Sequence, residues 1–152
     1  MTEITLGIES PRQADVVRLI EALDAYQSRL YPPESNHFLD VDTLAEPGVR
    51  FFVARGDGQA LGCGALRIDP AGWGELKRMF VSPEARGLKL GRRLLERIEE
   101  EARREGLGSV RLETGIHQPE ALGLYRSAGY VEREAFAGYT SDPLSVFMEK
   151  RL

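Results

Sequence analysis

Arg86-Gly87-Leu88-Lys89-Leu90-Gly91-Arg92-Arg93 lies between a strand-like run, Glu75-Leu76-Lys77-Arg78-Met79-Phe80-Val81, and an amphipathic helix. A glycine-bearing turn that feeds a helix presents backbone N–H groups lacking intrahelical partners, at the positive end of the helix dipole. Arg86, Lys89, Arg92 and Arg93 add cationic side chains there, in a chain whose formal net charge is −4. The combination predicts a local site for a phosphate-bearing ligand. The negative overall charge argues against a nucleic-acid partner, which calls for a broad basic face.

Working outward, the helix after the loop carries Leu90, Leu94, Leu95, Ile98 and Ala102 on one stripe, with Glu99/Arg103 and Glu100/Arg104 at the i,i+4 spacing of an outer face. Gly106 and Gly108 end it, and Ser109–Glu113 reads as a short strand. After a helical crossover that strand should lie parallel to the one ending at Val81. Pro119 opens a short helix through Ala128, followed by strands at Tyr130–Phe136 and Leu144–Lys150.

Upstream, Ile4, Leu6 and Ile8 alternate as an opening strand, and Ser10-Pro11 reads as the start of a helix that Tyr31-Pro32-Pro33 stops. Residues 32–48 are expected to be irregular, or briefly helical around Phe38–Leu44. Val49–Arg55, Ala60–Ile68 and Trp73–Val81 form an antiparallel meander, joined by Gly56-Asp57-Gly58-Gln59 and Asp69-Pro70-Ala71-Gly72. The sum is one α/β (α+β) domain over residues 1–152: a mixed, mostly antiparallel sheet of six or seven strands with helices on both faces.

Forty-two per cent hydrophobic and 29% charged residues are ordinary for a globular domain. Cys63 is the single cysteine, so no intrachain disulfide can form. Met1–Ser10 lacks a basic and apolar leader pattern, and no apolar run approaches bilayer length. A cytoplasmic protein without membrane contact is the expectation. No His/Cys/Asp spacing points to a metal.

Two nucleotide motifs fail on spacing. A P-loop needs four residues between its glycines and then Lys-Ser/Thr, whereas Gly87 and Gly91 enclose three and Arg92-Arg93 follow. Gly62-Cys63-Gly64 starts like a dinucleotide fingerprint, but Arg67 takes the last glycine position within a strand. What remains, Arg86-Gly87-x-x-x-Gly91 between strand and helix, resembles the Gln/Arg-x-x-Gly-x-Gly/Ala loop of the GNAT superfamily of acyl-CoA-dependent N-acetyltransferases. Lys89 stands where the inner Gly is usual. Ala121-Leu122-Gly123-Leu124-Tyr125-Arg126-Ser127-Ala128-Gly129-Tyr130 resembles the later GNAT motif Ala-x-x-Leu-Tyr-x-x-x-Gly-Phe/Tyr, with Gln118 where an Asn is frequent. The element order is similar to that fold from end to end.

That resemblance implies acetyl-CoA as acyl donor, bound in a gap between the two parallel strands. The backbone of Met79, Phe80 and Val81 would bond the pantetheine amides, and the N–H at or near Met79 would polarise the acetyl carbonyl. Amides of Arg86, Gly87, Leu88, Lys89, Leu90, Gly91 and Arg92 would hold the pyrophosphate. Tyr125 falls where the family has a general acid for the departing thiolate; by spacing alone it reads as a core residue beside Ala121, Leu124 and Ala128. Glu75 falls where several members have a general base acting through water; by position alone it is an exposed strand-edge residue.

Tyr31, Glu34 and His37 occupy the loop that walls the acceptor site in this fold, and Tyr139 is a second wall candidate. His37 is also an alternative base. His117 reads as a loop residue and Cys63 as a small core residue. The implied reaction is acetyl transfer to a primary amine of a small-molecule or amino-acid-like acceptor. A protein or peptide acceptor, or a non-catalytic acyl-CoA sensor, are the alternatives. A homodimer is a family-level expectation.

Overall fold

Among the described residues, seven strands form one sheet: β1 (Ile4–Ile8), β2 (Val49–Gly56), β3 (Gln59–Ile68), β4 (Gly74–Val81), β5 (Ser109–Gly115), β6 (Val131–Arg133) and β7 (Ser145–Arg151), in spatial order β1-β2-β3-β4-β5-β7-β6. The computed structural model describes residues 3–36, 40–85 and 87–152. All neighbours pair antiparallel except β4 and β5, which are joined through a helix and run parallel. The helices are α1 (Ala14–Leu30), α2 (Val41–Leu44), α3 (Leu90–Arg104) and α4 (Pro119–Ser127).

Strand alternation assigns a helix layer to each face. Phe51 and Val53 of β2 pack with Val16, Leu19 and Ile20 of α1 and Leu44 of α2. Phe52 and Ala54 point the other way, into a cluster with Leu90, Leu94, Leu95, Ile98 and Ala102 of α3. Those five α3 residues are 0–1% exposed. Burying one leucine contributes roughly 2 kcal/mol, so packing of this stripe, more than helix propensity, fixes α3 on the sheet.

The β2–β3 hairpin has the anticipated two-residue turn, since Asp57 (φ 49°) and Gly58 (φ 86°) both take the positive φ of a type I′ turn. Four readings are corrected. α1 begins at Ala14 with Gln13 before it, because Ser10 Oγ accepts from the Arg12 amide and makes a local turn that delays the helix. β6 stops at Arg133, because Phe136 turns inward to pack against Trp73 and Phe147. Glu99 does not sit on the outer face of α3: it is 4% exposed and accepts from Tyr130 Oη (2.9 Å) and Lys150 Nζ (2.9 Å). Glu75, finally, is a buried group and no strand-edge residue on the surface. Within residues 32–48 there is a 3₁₀ turn at Pro33–Ser35, and α2 is capped by Asp40 accepting from Thr43 N (2.8 Å); Phe38 lies outside the described residues.

The feature that matters for function is where β4 and β5 part. They pair only at Gly74–Leu76 with Val110–Leu112. Beyond that, β4 stays with β3 as far as Val81, and β5 stays with β7 as far as Gly115. A register shift between Cys63 and Ala65 sets one β3 residue, Gly64, against two on β4, Arg78 and Met79. Arg78 adopts φ 56°. A left-handed non-glycine costs on the order of 1 kcal/mol, and bulges of this kind bend and twist a strand. The gap leaves the β4 backbone after Leu76 without a partner strand on that side.

Candidate active site

A groove of about 450 Å³ fills the gap. One wall is Met79 to Pro83, the other is Gln118 to Tyr125 of α4 and the residue before it, and Leu23 and Tyr26 of α1 close one side. Gly91 lies at its far end, where a Cβ would stand 3.3 Å from Leu124. Glycine there lets α3 approach α4 closely.

At that same end, Gly87 (φ 87°) and Lys89 (φ 55°, ψ 34°) turn the chain into α3, and Lys89 O accepts from Arg93 N. The amides of Leu90, Gly91 and Arg92 precede that first helical bond and so have no acceptor within α3. Leu90 contributes only its backbone, since its side chain is buried; Gly87 and Lys89 are exposed and Leu88 half-buried. Arg92 reaches towards α4, donating to Ser127 Oγ at 3.0 Å. Arg86 lies outside the described residues.

Tyr125 lines the groove, is 5% exposed and packs edge-on against Tyr130 (centroids 5.8 Å apart). Burial raises its phenol above the ordinary value, so the hydroxyl stays protonated and able to donate.

A second, smaller cavity of about 70 Å³ continues between β4 and β5, lined among others by Tyr31, Asn36, Glu75, Lys77, Glu113 and Gln118. Gln118 lines both spaces. Its Oε1 accepts from Tyr31 Oη (3.2 Å), which in turn accepts from His117 N (3.1 Å). The Tyr31 ring stacks on His117 with centroids 5.5 Å apart.

Glu75 sits at the base of this cavity, 1% exposed. Its Oε1 accepts from Arg67 (2.9 Å), and its Oε2 from Tyr139 Oη (2.6 Å) and Lys77 Nζ (3.4 Å). Lys77 also donates to Tyr139 Oη at 2.5 Å. Burial, then the bond to Glu75, raise the Tyr139 phenol. Tyr31, Glu75 and Gln118 thus line one space, and Tyr139, which does not line it, adjoins it through its bond to Glu75. Glu34 is not brought there: it is exposed on the 3₁₀ turn, while Ser35 and Asn36 line the cavity instead. His37 lies outside the described residues.

Arg67 and Lys77 were not singled out from the sequence. The signal existed, since the Asp69–Gly72 turn sets Arg67 directly across from Glu75 in the β3–β4 register. Cys63 is buried, its thiol pushed up to about 12 by that burial, as befits a small core residue. Among the described residues no group of three or more His, Cys, Asp or Glu side chains could hold a metal ion. No helix among them is long and apolar enough to cross a membrane.

The parted strand pair thus leaves an open amide edge, with a helix N-terminus at the far end of the gap. The acetyltransferase (GNAT) family model matches residues 16–130, and the chain belongs to that family. An IAA acetyltransferase of Azospirillum brasilense is 56% identical over the whole of both chains. The uncharacterized N-acetyltransferase YsnE of Bacillus subtilis is 36% identical over 90% of this chain and 92% of its own. Among solved structures, one described as an acyl-CoA N-acyltransferase from Klebsiella pneumoniae superposes with a TM-score of 0.83 at 42% identity, covering 100% of this chain and 98% of that one. The protein is an acyl-CoA-dependent N-acyltransferase, with CoA binding and transferase chemistry shared across its family.

Proposed function

We propose that the enzyme moves an acetyl group from acetyl-CoA to the primary amine of a small, polar acceptor by direct attack. The observation that carries this reading is that Gln118 borders both the β4–α4 groove and the polar cavity that Glu75 lines. One space suits pantetheine and the other suits a small amine, and both lie beside the parted strands. The name of the 56% identical relative, IAA acetyltransferase, agrees with an acceptor of small-molecule size.

The pantetheine arm lies along the free edge of Met79, Phe80 and Val81, and the amides of residues 86–92, with the side chains of Lys89 and Arg92, take the pyrophosphate. Gln118 borders the thioester. The Met79 N–H donates to the acetyl oxygen, where negative charge develops in the transition state. The acceptor nitrogen attacks the carbonyl carbon, the new C–N bond forms and the C–S bond breaks. Tyr125 gives its proton to the departing thiolate and is reprotonated by the second proton, which the acylated nitrogen sheds as it becomes an amide. The proton lost by the acceptor ammonium passes through water to Glu75, whose orientation Arg67, Lys77 and Tyr139 fix. Tyr31 and Tyr139 shape the acceptor side.

A thiol-release screen over small amines, amino acids and short peptides identifies the acceptor. With it in hand, Tyr125→Phe is expected to lower kcat by roughly 10²–10⁴ while calorimetric affinity for acetyl-CoA stays unchanged. An unaltered rate would reject Tyr125 as the acid. CoA release with peptides alone would reject the small-molecule acceptor.

A further inference from the structure

We infer that Asp24 and Arg78 are positioning residues for the acyl donor: the ion pair between α1 and the β4 bulge holds residue 78 in its left-handed conformation and so aims the Met79 amide and the free β4 edge into the groove. This rests on the donor site proposed above. Four observations support it. Arg78 is the non-glycine residue at positive φ within β4, and it sits at the register shift against Gly64. Its side chain is 3% exposed and is directed out of the sheet to α1, where it pairs with Asp24 and reaches Ile20 O at 3.5 Å. Its backbone carbonyl accepts from the Cys63 thiol at 3.3 Å, so the residue is held at both ends. Its neighbour Met79 lines the donor groove.

Glycine takes positive φ without strain but would leave the bulge unanchored. An arginine anchored to a helix makes the bulge part of the α1 packing. An arrangement that is strained locally persists only when its surroundings over-determine it, and here the surroundings are Asp24 on one side and Cys63 on the other. Asp24 is on the exposed side of the pair, with 40% of its side chain accessible, so it can be altered without opening the core.

The test uses the full chain and two probes by calorimetry: acetyl-CoA, and adenosine 3′-phosphate 5′-diphosphate, the head of CoA that lacks pantetheine. Asp24→Asn keeps the shape and removes the charge. It is expected to weaken acetyl-CoA about tenfold, an amount set by roughly 1.4 kcal/mol, and to leave the head-group probe within about twofold. Asp24→Glu should restore most of the acetyl-CoA affinity. In an Arg78→Gly background, where the backbone reaches positive φ unaided, Asp24→Asn should add nothing.

Unchanged acetyl-CoA affinity in Asp24→Asn, with or without a lower melting temperature, would make the pair purely architectural and overturn the inference. An equal loss for both probes would overturn it too, as would a full further loss in the Arg78→Gly background. If the unsubstituted enzyme binds the head group but not acetyl-CoA, the groove assignment itself fails, and that result is distinguishable from the others.

Discussion

The hydroxyl of Tyr31 occupies the space that a Cβ on residue 115 would take, so Gly115 at the end of β5 is what admits the ring. Tyr31 follows α1 directly, is 8% exposed and reaches across the parted strands to His117 N and Gln118 Oε1. Gly115→Ala must therefore expel the ring, losing the stack on His117 and both hydrogen bonds. The expected cost is about 1–3 kcal/mol of stability, measured by urea unfolding. In a Tyr31→Ala background the same change should cost almost nothing. An equal penalty in both backgrounds would show that the alanine clashes with something other than Tyr31.

The stability of the β1–α1 corner depends on pH through Arg55. Its guanidinium donates to Glu9 (2.9 Å), to Asp15 (2.7 Å) and to Gly58 O (2.9 Å), tying β2 to the segment that leads into α1. The hydrogen bonds from Arg55 hold both carboxyls below their ordinary values of 4.5 and 3.8. Depressed values in the folded state mean that this contribution is complete above the ordinary values and is lost as pH falls through the folded ones. Arg55→Met should therefore be less stable than the parent near neutrality, and the gap should close on acidification below the carboxyls' ordinary values. Urea midpoints measured across that range check it. A gap that stays constant with pH would assign the loss to packing of the arginine stem.

Much of the architecture was legible because it follows from local pattern. Period-2 alternation placed β1, the Asp57-Gly58 turn paired β2 with β3, and the α3 stripe with its glycine stops announced the crossover to a parallel β5. The loop and the Tyr125 segment together named the family. The parts not legible are those in which distant residues decide. Glu99 follows helical spacing onto a surface face until Tyr130 and Lys150, more than thirty positions away, offer it a buried site. Phe136 reads as strand until Trp73 and Phe147 draw it inward. Nothing local to Arg78 foretells a left-handed backbone; the nearest hint is Gly64, which tolerates the bulge because a Cβ there would crowd Ile98 and Met79. Glu75 reads as a strand-edge residue, since Tyr139 comes from the segment between β6 and β7.

Lys89 is where the chain departs from its family's loop, and its backbone shows why glycine is usual there. It caps α3 in the left-handed region, φ 55° and ψ 34°, with its side chain exposed. Lys89→Gly removes the steric penalty of that conformation and is expected to raise stability by up to about 1 kcal/mol, the gain being offset in part by a freer unfolded chain. Residue 89 directly precedes amides that have no acceptor within the helix, at the end of the groove proposed for the pyrophosphate. The same substitution should therefore weaken binding of acetyl-CoA, several-fold at low ionic strength and less as the Debye length shrinks to about 8 Å at physiological salt. Stability and affinity are thus predicted to move in opposite directions, readable by thermal unfolding and by calorimetry at two salt concentrations. Tighter binding in Lys89→Gly would show that backbone fit outweighs the charge, leaving the lysine a tolerated departure from the family's glycine with no part in gripping the donor.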